Sequence, residues 1–386
     1  MRVKIVLSGE SAGTARLLEQ LLASWDKSDG RAHEIAVANG CAEMLADVAR
    51  GIEEGGGVIV TPGEWSDLQL VAERFPRSRR IVAAGLDDAD AAESGASAVW
   101  GLPVVRGRGL DGFRWAIAWL EQRLDYPFDE IAYGALPDQI ADLRLPHGID
   151  GPFPVAVFLH GGFWRERWVR DTIEPLAIDL ARRGFATLNV EYRRVRQGFQ
   201  GWRETAGDVA AAIDHLAVSG PGLDLSRVVL IGHSAGAQLA AWAIKRRGLA
   251  TVSWPVHPRA VVLLAGMVDL RETARRGLGD TGNPTVAFVG ATVDQRRDEY
   301  ECASPLTNLP LGVAQIVVQG LRDSPDLVDM ARAYAETAAA GGDETRYLEF
   351  EEGDHFSVIT PSRHEWDGTV AAIQDVLGAQ TASESP

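Results

Sequence analysis

One pentapeptide, Gly232-His233-Ser234-Ala235-Gly236, constrains this chain more than any other feature. It joins an apolar run, Val228 to Ile231, to an alanine-rich stretch, Ala237 to Lys245. A strand that turns sharply into a helix thrusts the serine hydroxyl outward, where it can attack a carbonyl. Small residues on either side let neighbouring backbones come close, and the first N–H groups of the helix face the charge that develops on the attacked oxygen.

Two further stretches fit the same chemistry. His160-Gly161-Gly162-Phe163-Trp164 directly follows the apolar run Val155 to Leu159 and lies 74 residues before Ser234. Its two glycines can turn backbone N–H groups toward a reacting carbonyl. Gly161 and Gly162, with the N–H of Ala235, are the expected oxyanion hole. Phe163, Trp164 and His233 are expected to line the substrate pocket, and His160 to brace the loop. Downstream, Asp323 follows the run Gln315 to Gln319, and His355 follows Arg346 to Phe350. A serine is a weak nucleophile until an imidazole takes its proton, and a carboxylate must fix the imidazole tautomer. The expected triad is Ser234, Asp323 and His355. Asp326 and Asp269 are rivals for the acid, and Asp323 is preferred because it lies nearest its strand end.

Short apolar runs alternate with helical patterns along the whole chain, which predicts parallel sheets covered by helices. The 386 residues exceed what one core usually serves, so two domains are expected, 1–124 and 125–380. In the first, strands are read at Val3 to Leu7, His33 to Ala38, Val58 to Val60 and Ile81 to Ala84, with helices between them and a last helix at Gly112 to Gln122. The polar segment Asp125 to Asp150 is expected to supply antiparallel strands that open the second domain. There, strands at Val155 to Leu159, Ala186 to Val190, Val228 to Ile231, Ala260 to Leu264, Gln315 to Gln319 and Arg346 to Phe350 alternate with helices, the longest at Trp202 to Val218. Asp269 to Pro305 is long enough to form a small lid. The tail Ala379 to Pro386 is small and polar and is expected to fray.

The second half resembles the esterase and kynurenine formamidase (arylformamidase) group of bacterial α/β-hydrolases. The resemblance rests on Tyr133-Gly134, Asp142-Leu-Arg-Leu-Pro146, His160-Gly-Gly-Phe-Trp164, Glu191-Tyr-Arg-Arg194, Gly232-His-Ser-Ala-Gly236, Asp323-Ser-Pro-Asp326 and Asp354-His-Phe356. It implies an α/β-hydrolase domain with the triad and oxyanion loop named above. Phe163 stands where formamidases commonly carry tyrosine. The first half resembles type II 3-dehydroquinate dehydratase, on Gly55-Gly-Gly-Val-Ile-Val-Thr-Pro-Gly-Glu-Trp65 and Arg106-Gly-Arg-Gly-Leu-Asp-Gly-Phe113. That likeness implies a flavodoxin-like fold and a retained capacity to assemble into homo-oligomers. It departs from the family at the catalytic positions: Thr61 replaces an asparagine, the 81–88 run carries no histidine, and the first tyrosine of the chain is Tyr126. Proton abstraction needs positioned acids and bases, so this half is expected to be catalytically inactive.

The net charge of −16 argues against nucleic acid and anionic membrane surfaces as partners. Cys41 and Cys302 fall in different halves and outside any metal-binding spacing, so neither a disulfide framework, a metal nor another cofactor is expected. The N-terminal apolar patch is too short for a secretory segment, which makes a cytoplasmic protein the expectation. The expected partner is a small acyl substrate. The chain reads as a serine hydrolase of a carboxylic ester or related acyl bond. An aryl formamide, or acyl transfer or cyclisation through the same acyl-enzyme, remains open. A non-catalytic ligand receptor or oligomeric scaffold is the alternative of another class, against which the presence of all three triad residues tells.

Overall fold

The computed structural model describes residues 2–8, 12–25, 33–62, 65–76, 78–85, 98–99, 102–105, 108–196, 198–220, 222–245, 255–279 and 282–378. Gly63, Glu64, Arg106 and Gly107 of the dehydratase-like stretches, residues 86–88 and the tail 379–386 lie outside them. Contacts divide the chain into two units, Met1–Pro127 and Phe128–Pro386.

The first unit holds strands β1 (Val3–Ser8), β2 (His33–Ala38), β3 (Gly57–Thr61), β4 (Ile81–Ala84), β5 (Ala98–Val99) and β6 (Leu102–Val105). Their order across the sheet is β2-β1-β3-β4-β6-β5, all parallel except the β5–β6 pair. This is the flavodoxin-like order with one extra edge strand. Helices α1 (Ala12–Trp25), α2 (Cys41–Glu53), α3 (Trp65–Arg74) and α4 (Asp111–Asp125) connect it. Every residue of β1, β3 and β4 is buried, as a parallel sheet covered on both faces requires. Met44 and Val48, one turn apart on α2, pack with Leu68 and Val71 of α3 against Val6, Val58 and Val60. β5 and β6 carry no clear strand signal in the sequence, because they are only 2 and 4 residues long and Pro103 lies within β6.

The second unit is an eight-stranded sheet in the order β14-β13-β12-β11-β9-β10-β8-β7. The antiparallel strands β7 (Asp129–Ala132) and β8 (Ile140–Arg144) come from the polar segment. The remaining strands run parallel: β9 (Phe153–Leu159), β10 (Ala186–Val190), β11 (Leu223–His233), β12 (Ala260–Leu264), β13 (Ala314–Gly320) and β14 (Thr345–Phe350). The helices in chain order are α5 (Glu174–Arg182), α6 (Trp202–His215), α7 (Ala235–Lys245), α8 (Leu270–Arg275), α9 (Pro284–Val289), α10 (Arg297–Ala303), α11 (Pro325–Ala340) and α12 (His364–Gly378).

Strand alternation sorts the apolar side chains into two cores, one on each face. Val155, Val157, Leu159, Leu230 and Leu263 point to the face covered by α6, α7 and α11. Ala156, Phe158, Ile231, Val262 and Leu264 point to the face covered by α5 and α12. The chain leaves β9 for β10 on one side and later returns to place β11 on the other. A crevice therefore opens where β9 and β11 end side by side, the position at which open α/β sheets bind ligands. The His160-Gly161-Gly162 loop and Ser234 follow those two strand ends. Among the described residues no helix is long and apolar enough to cross a membrane.

Candidate active site

Ser234 follows β11 directly, in a left-handed conformation at φ 53° that side-chain-bearing residues rarely adopt. Its N–H donates to Leu264 O at 2.8 Å, and its carbonyl accepts from the N–H groups of Ala237 and Met267, each at 3.1 Å. These bonds hold the strained turn on the end of the sheet. The flanking glycines are required by contact. A Cβ at Gly236 would lie 2.1 Å from Leu159 O, and one at Gly232 would lie 2.2 Å from Gly236 O. The N–H of Ala235 belongs to the first turn of α7 and has no acceptor within that helix.

His355 sits on the loop after β14, and its Nδ1 is 2.7 Å from Asp323 Oδ2. Because the carboxylate only accepts, Nδ1 carries a proton, and in the neutral ring the lone pair is then on Nε2. Burial pushes the Asp323 carboxyl up, but hydrogen bonds from His355, the Ser324 N–H and the Gln319 amide outweigh it and hold the group below the usual carboxylate range. The rival acids are engaged elsewhere: Asp326 pairs with Arg276, and Asp269 caps α8 by accepting from the N–H groups of Arg271 and Glu272.

His233 has a different part from the expected pocket residue alone. It does line the cavity, but its Nε2–H donates to the carbonyl of His355 at 2.9 Å. Burial, then the neighbouring His355, push its pKa down to about 3, so the ring is neutral. The residue before Ser234 thus holds the backbone of His355.

Gly161 runs against the turn: a Cβ there would come within 2.7 Å of His233 Nδ1 and 3.0 Å of Ser234 Cβ. Gly162 (φ 111°), Phe163 (φ 54°) and Trp164 (φ 55°) are left-handed in succession. What holds two non-glycine residues there is the burial of Trp164. Its ring stacks on Phe288 at 4.2 Å, and its Nε1–H donates to Gln238 of α7 at 3.1 Å. Trp164 is fully buried. The expectation that it walls the pocket is corrected: its large apolar ring is stabilised in the core, where it anchors the loop. Trp202 is buried against Trp242 and donates to Glu299.

Ser234, Asp323 and His355 share one cavity of about 300 Å³ with Gly161, Gly162 and Phe163. Trp168, Leu327 and Phe356 supply apolar wall, and Arg167 a cationic side chain. The expected lid, 269–305, folds as the short helices α8, α9 and α10, with 280 and 281 outside the described residues. Its Phe288 packs on Trp164, and none of its described residues lines the cavity. Sequence reading missed Gln319 and Gln238, whose roles depend on contacts across the fold that no local pattern encodes. The arrangement places a hydroxyl, an imidazole–carboxylate pair and a glycine loop around one cavity. Such a set can transfer a proton from a nucleophile and accept negative charge on a carbonyl oxygen.

The sequence pattern of the BD-FAE family matches residues 141–333, half of the chain. Kynurenine formamidase of Danio rerio is 23% identical over 238 residues, 60% of this chain and 75% of that protein. Isoprenylcysteine alpha-carbonyl methylesterase ICME of Arabidopsis thaliana is 32% identical over 136 residues, which span 33% of this chain and 30% of that protein. Among solved structures, esterase B from Lactobacillus rhamnosis superposes with a TM-score of 0.58 at 17% identity, covering 71% of this chain and 95% of that one. That likeness is one of fold.

The Asp323 carboxyl has a lower pKa folded than its unfolded value of about 3.9. It therefore stabilises the fold above that pH and loses the contribution as pH falls through the folded value. The stability gap between wild type and Asp323→Asn is expected to be widest near neutrality and to shrink below about pH 4. Urea unfolding across that range checks this, and a gap independent of pH would contradict it.

Proposed function

Because the chain belongs to the BD-FAE family, we propose that it is a serine hydrolase that cleaves a carboxylic ester or related acyl bond through an acyl-Ser234 intermediate. The observation that carries this reading is the 2.7 Å bond between His355 Nδ1 and Asp323 Oδ2 in the cavity that Ser234 also lines. His355 Nε2 takes the proton of Ser234 Oγ as that oxygen bonds to the substrate carbonyl carbon. The N–H groups of Gly161, Gly162 and Ala235 receive the oxyanion. Collapse of the tetrahedral species breaks the bond to the leaving group, which departs with the proton held on His355. Water, deprotonated by the same imidazole, then attacks the acyl carbon and restores Ser234. Hydrolase relatives support an enzyme of this class. The match to kynurenine formamidases of Danio rerio and Drosophila melanogaster favours an aryl formamide as the second candidate bond.

In this reading the first unit has no chemistry of its own. Lys4, buried in its sheet, is paired with Glu34 and Asp47. The flavodoxin-like unit serves to assemble copies of the chain. Sedimentation is expected to give an oligomer that is lost when residues 1–124 are deleted; a full-length monomer would remove this role.

Wild type is expected to turn over at least one substrate in a panel of p-nitrophenyl esters plus N-formylkynurenine. Ser234→Ala should lower that rate at least about a thousandfold. Equal rates for wild type and Ser234→Ala would overturn the proposal.

A further inference from the structure

The N–H groups assigned to the oxyanion can work only if their peptides face the cavity. In a trans peptide the C=O of one residue and the N–H of the next point in opposite directions. The orientation of each donor is thus set by whatever holds the carbonyl before it. Both relevant peptides are trans, and both carbonyls are held. The hydroxyl of Tyr192 donates to His160 O at 2.5 Å, which turns the Gly161 N–H to the other side. Nδ1 of His160 lies 2.8 Å from Gly161 O, an atom that only accepts, so Nδ1 carries a proton and donates it. That bond turns the Gly162 N–H away from the ring in the same manner.

The two side chains form one rigid unit. Their rings stack at 4.3 Å with an interplanar angle of 7°, and both are fully buried. Nε2 of His160 is 3.0 Å from Glu191 Oε1. Glu191 is in turn bound by Arg194 and accepts from the Arg170 N–H at 3.2 Å. A ring fixed on both edges and one face cannot rotate to release the carbonyl.

We propose that His160 and Tyr192 are positioning residues that lock the Gly161 and Gly162 peptides in the oxyanion-binding orientation. This rests on the reading of Ser234 as the nucleophile. Freed from either bond, the glycine-rich loop can flip a peptide and present a carbonyl to the oxyanion, exchanging attraction for repulsion.

The test uses the full chain with Tyr192→Phe, His160→Leu and His160→Asn. Tyr192→Phe removes one hydroxyl and keeps the stacked ring, so it reports even if the histidine variants fail to fold. His160→Asn restores a donor near the place of Nδ1. Two readouts are compared: kcat and KM on a p-nitrophenyl ester, and the inhibition constant of a trifluoromethyl ketone, whose adduct with the serine carries an oxyanion. Loss of one oxyanion donor costs about a hundredfold in kcat. Tyr192→Phe and His160→Leu are expected to approach that loss with KM nearly unchanged. The ketone should weaken in the same proportion, and His160→Asn should recover part of both. Unchanged kcat in the variants, or a fall in kcat with undiminished ketone binding, would overturn the proposal while leaving the hydrolase reading intact. A wild type with no turnover and no fluorophosphonate label on Ser234 would overturn both.

Discussion

The site depends on backbone lying directly against backbone where β9 and β11 end. Gly236 leaves no room for a methyl group beside the carbonyls of Leu159 and His160, and Gly161 leaves little beside Ser234. Hydrophobic burial fixes which strands are neighbours, but it does not bring a loop and a turn this close. Only residues without a Cβ allow that, and the consequence is that Ser234 and the Gly161–Gly162 loop line one small cavity. The entropic cost of glycine at these positions, roughly 0.5–1 kcal/mol relative to alanine in a regular element, is small beside a van der Waals collision.

The same approach explains how the strain is distributed. Left-handed residues that carry side chains cost on the order of 1–3 kcal/mol each, and Phe163, Trp164 and Ser234 are all of that kind. The surrounding structure holds each one: Ser234 through three backbone hydrogen bonds, and the loop through the buried ring of Trp164, which ties it to α7 by way of Gln238. Beneath the loop lies a buried set of charges, with Arg170 on Asp142, Arg144 on Glu174 and Arg194 on Glu191. Buried ion pairs contribute little net stability, because desolvation offsets their attraction. Their effect here is geometric: a cluster of paired charges has few alternative arrangements, and the bond from Arg194 holds the Glu191 carboxylate that meets His160.

Much of this was legible in the sequence, for identifiable reasons. The run Ala260 to Leu264 coincides with the observed strand, since a buried parallel strand is a continuous apolar segment. Gly232 to Gly236 signals its turn because the chemistry and the sterics demand the same residues. The chain also carries Asp323 and His355 at strand ends, where they meet. What stayed hidden depends on contacts between distant segments. Trp164 looks like a pocket residue by its place beside the glycines, yet its partners Phe288 and Gln238 lie 124 and 74 residues away. His233 gives no local sign that it holds the backbone of His355, 122 residues on. Short strands broken by proline, such as Leu102–Val105, lack a run long enough to register.

The central claim is that Ser234 is the one activated nucleophile and that His355 activates it. The most direct measurement is peptide mapping by mass spectrometry after reaction with a fluorophosphonate, for wild type and His355→Gln together. The account predicts a single adduct on the peptide containing Ser234, formed quickly in wild type and at least about a hundredfold more slowly in the variant. An adduct on another residue, or labelling of Ser234 at the same rate in both proteins, would contradict it.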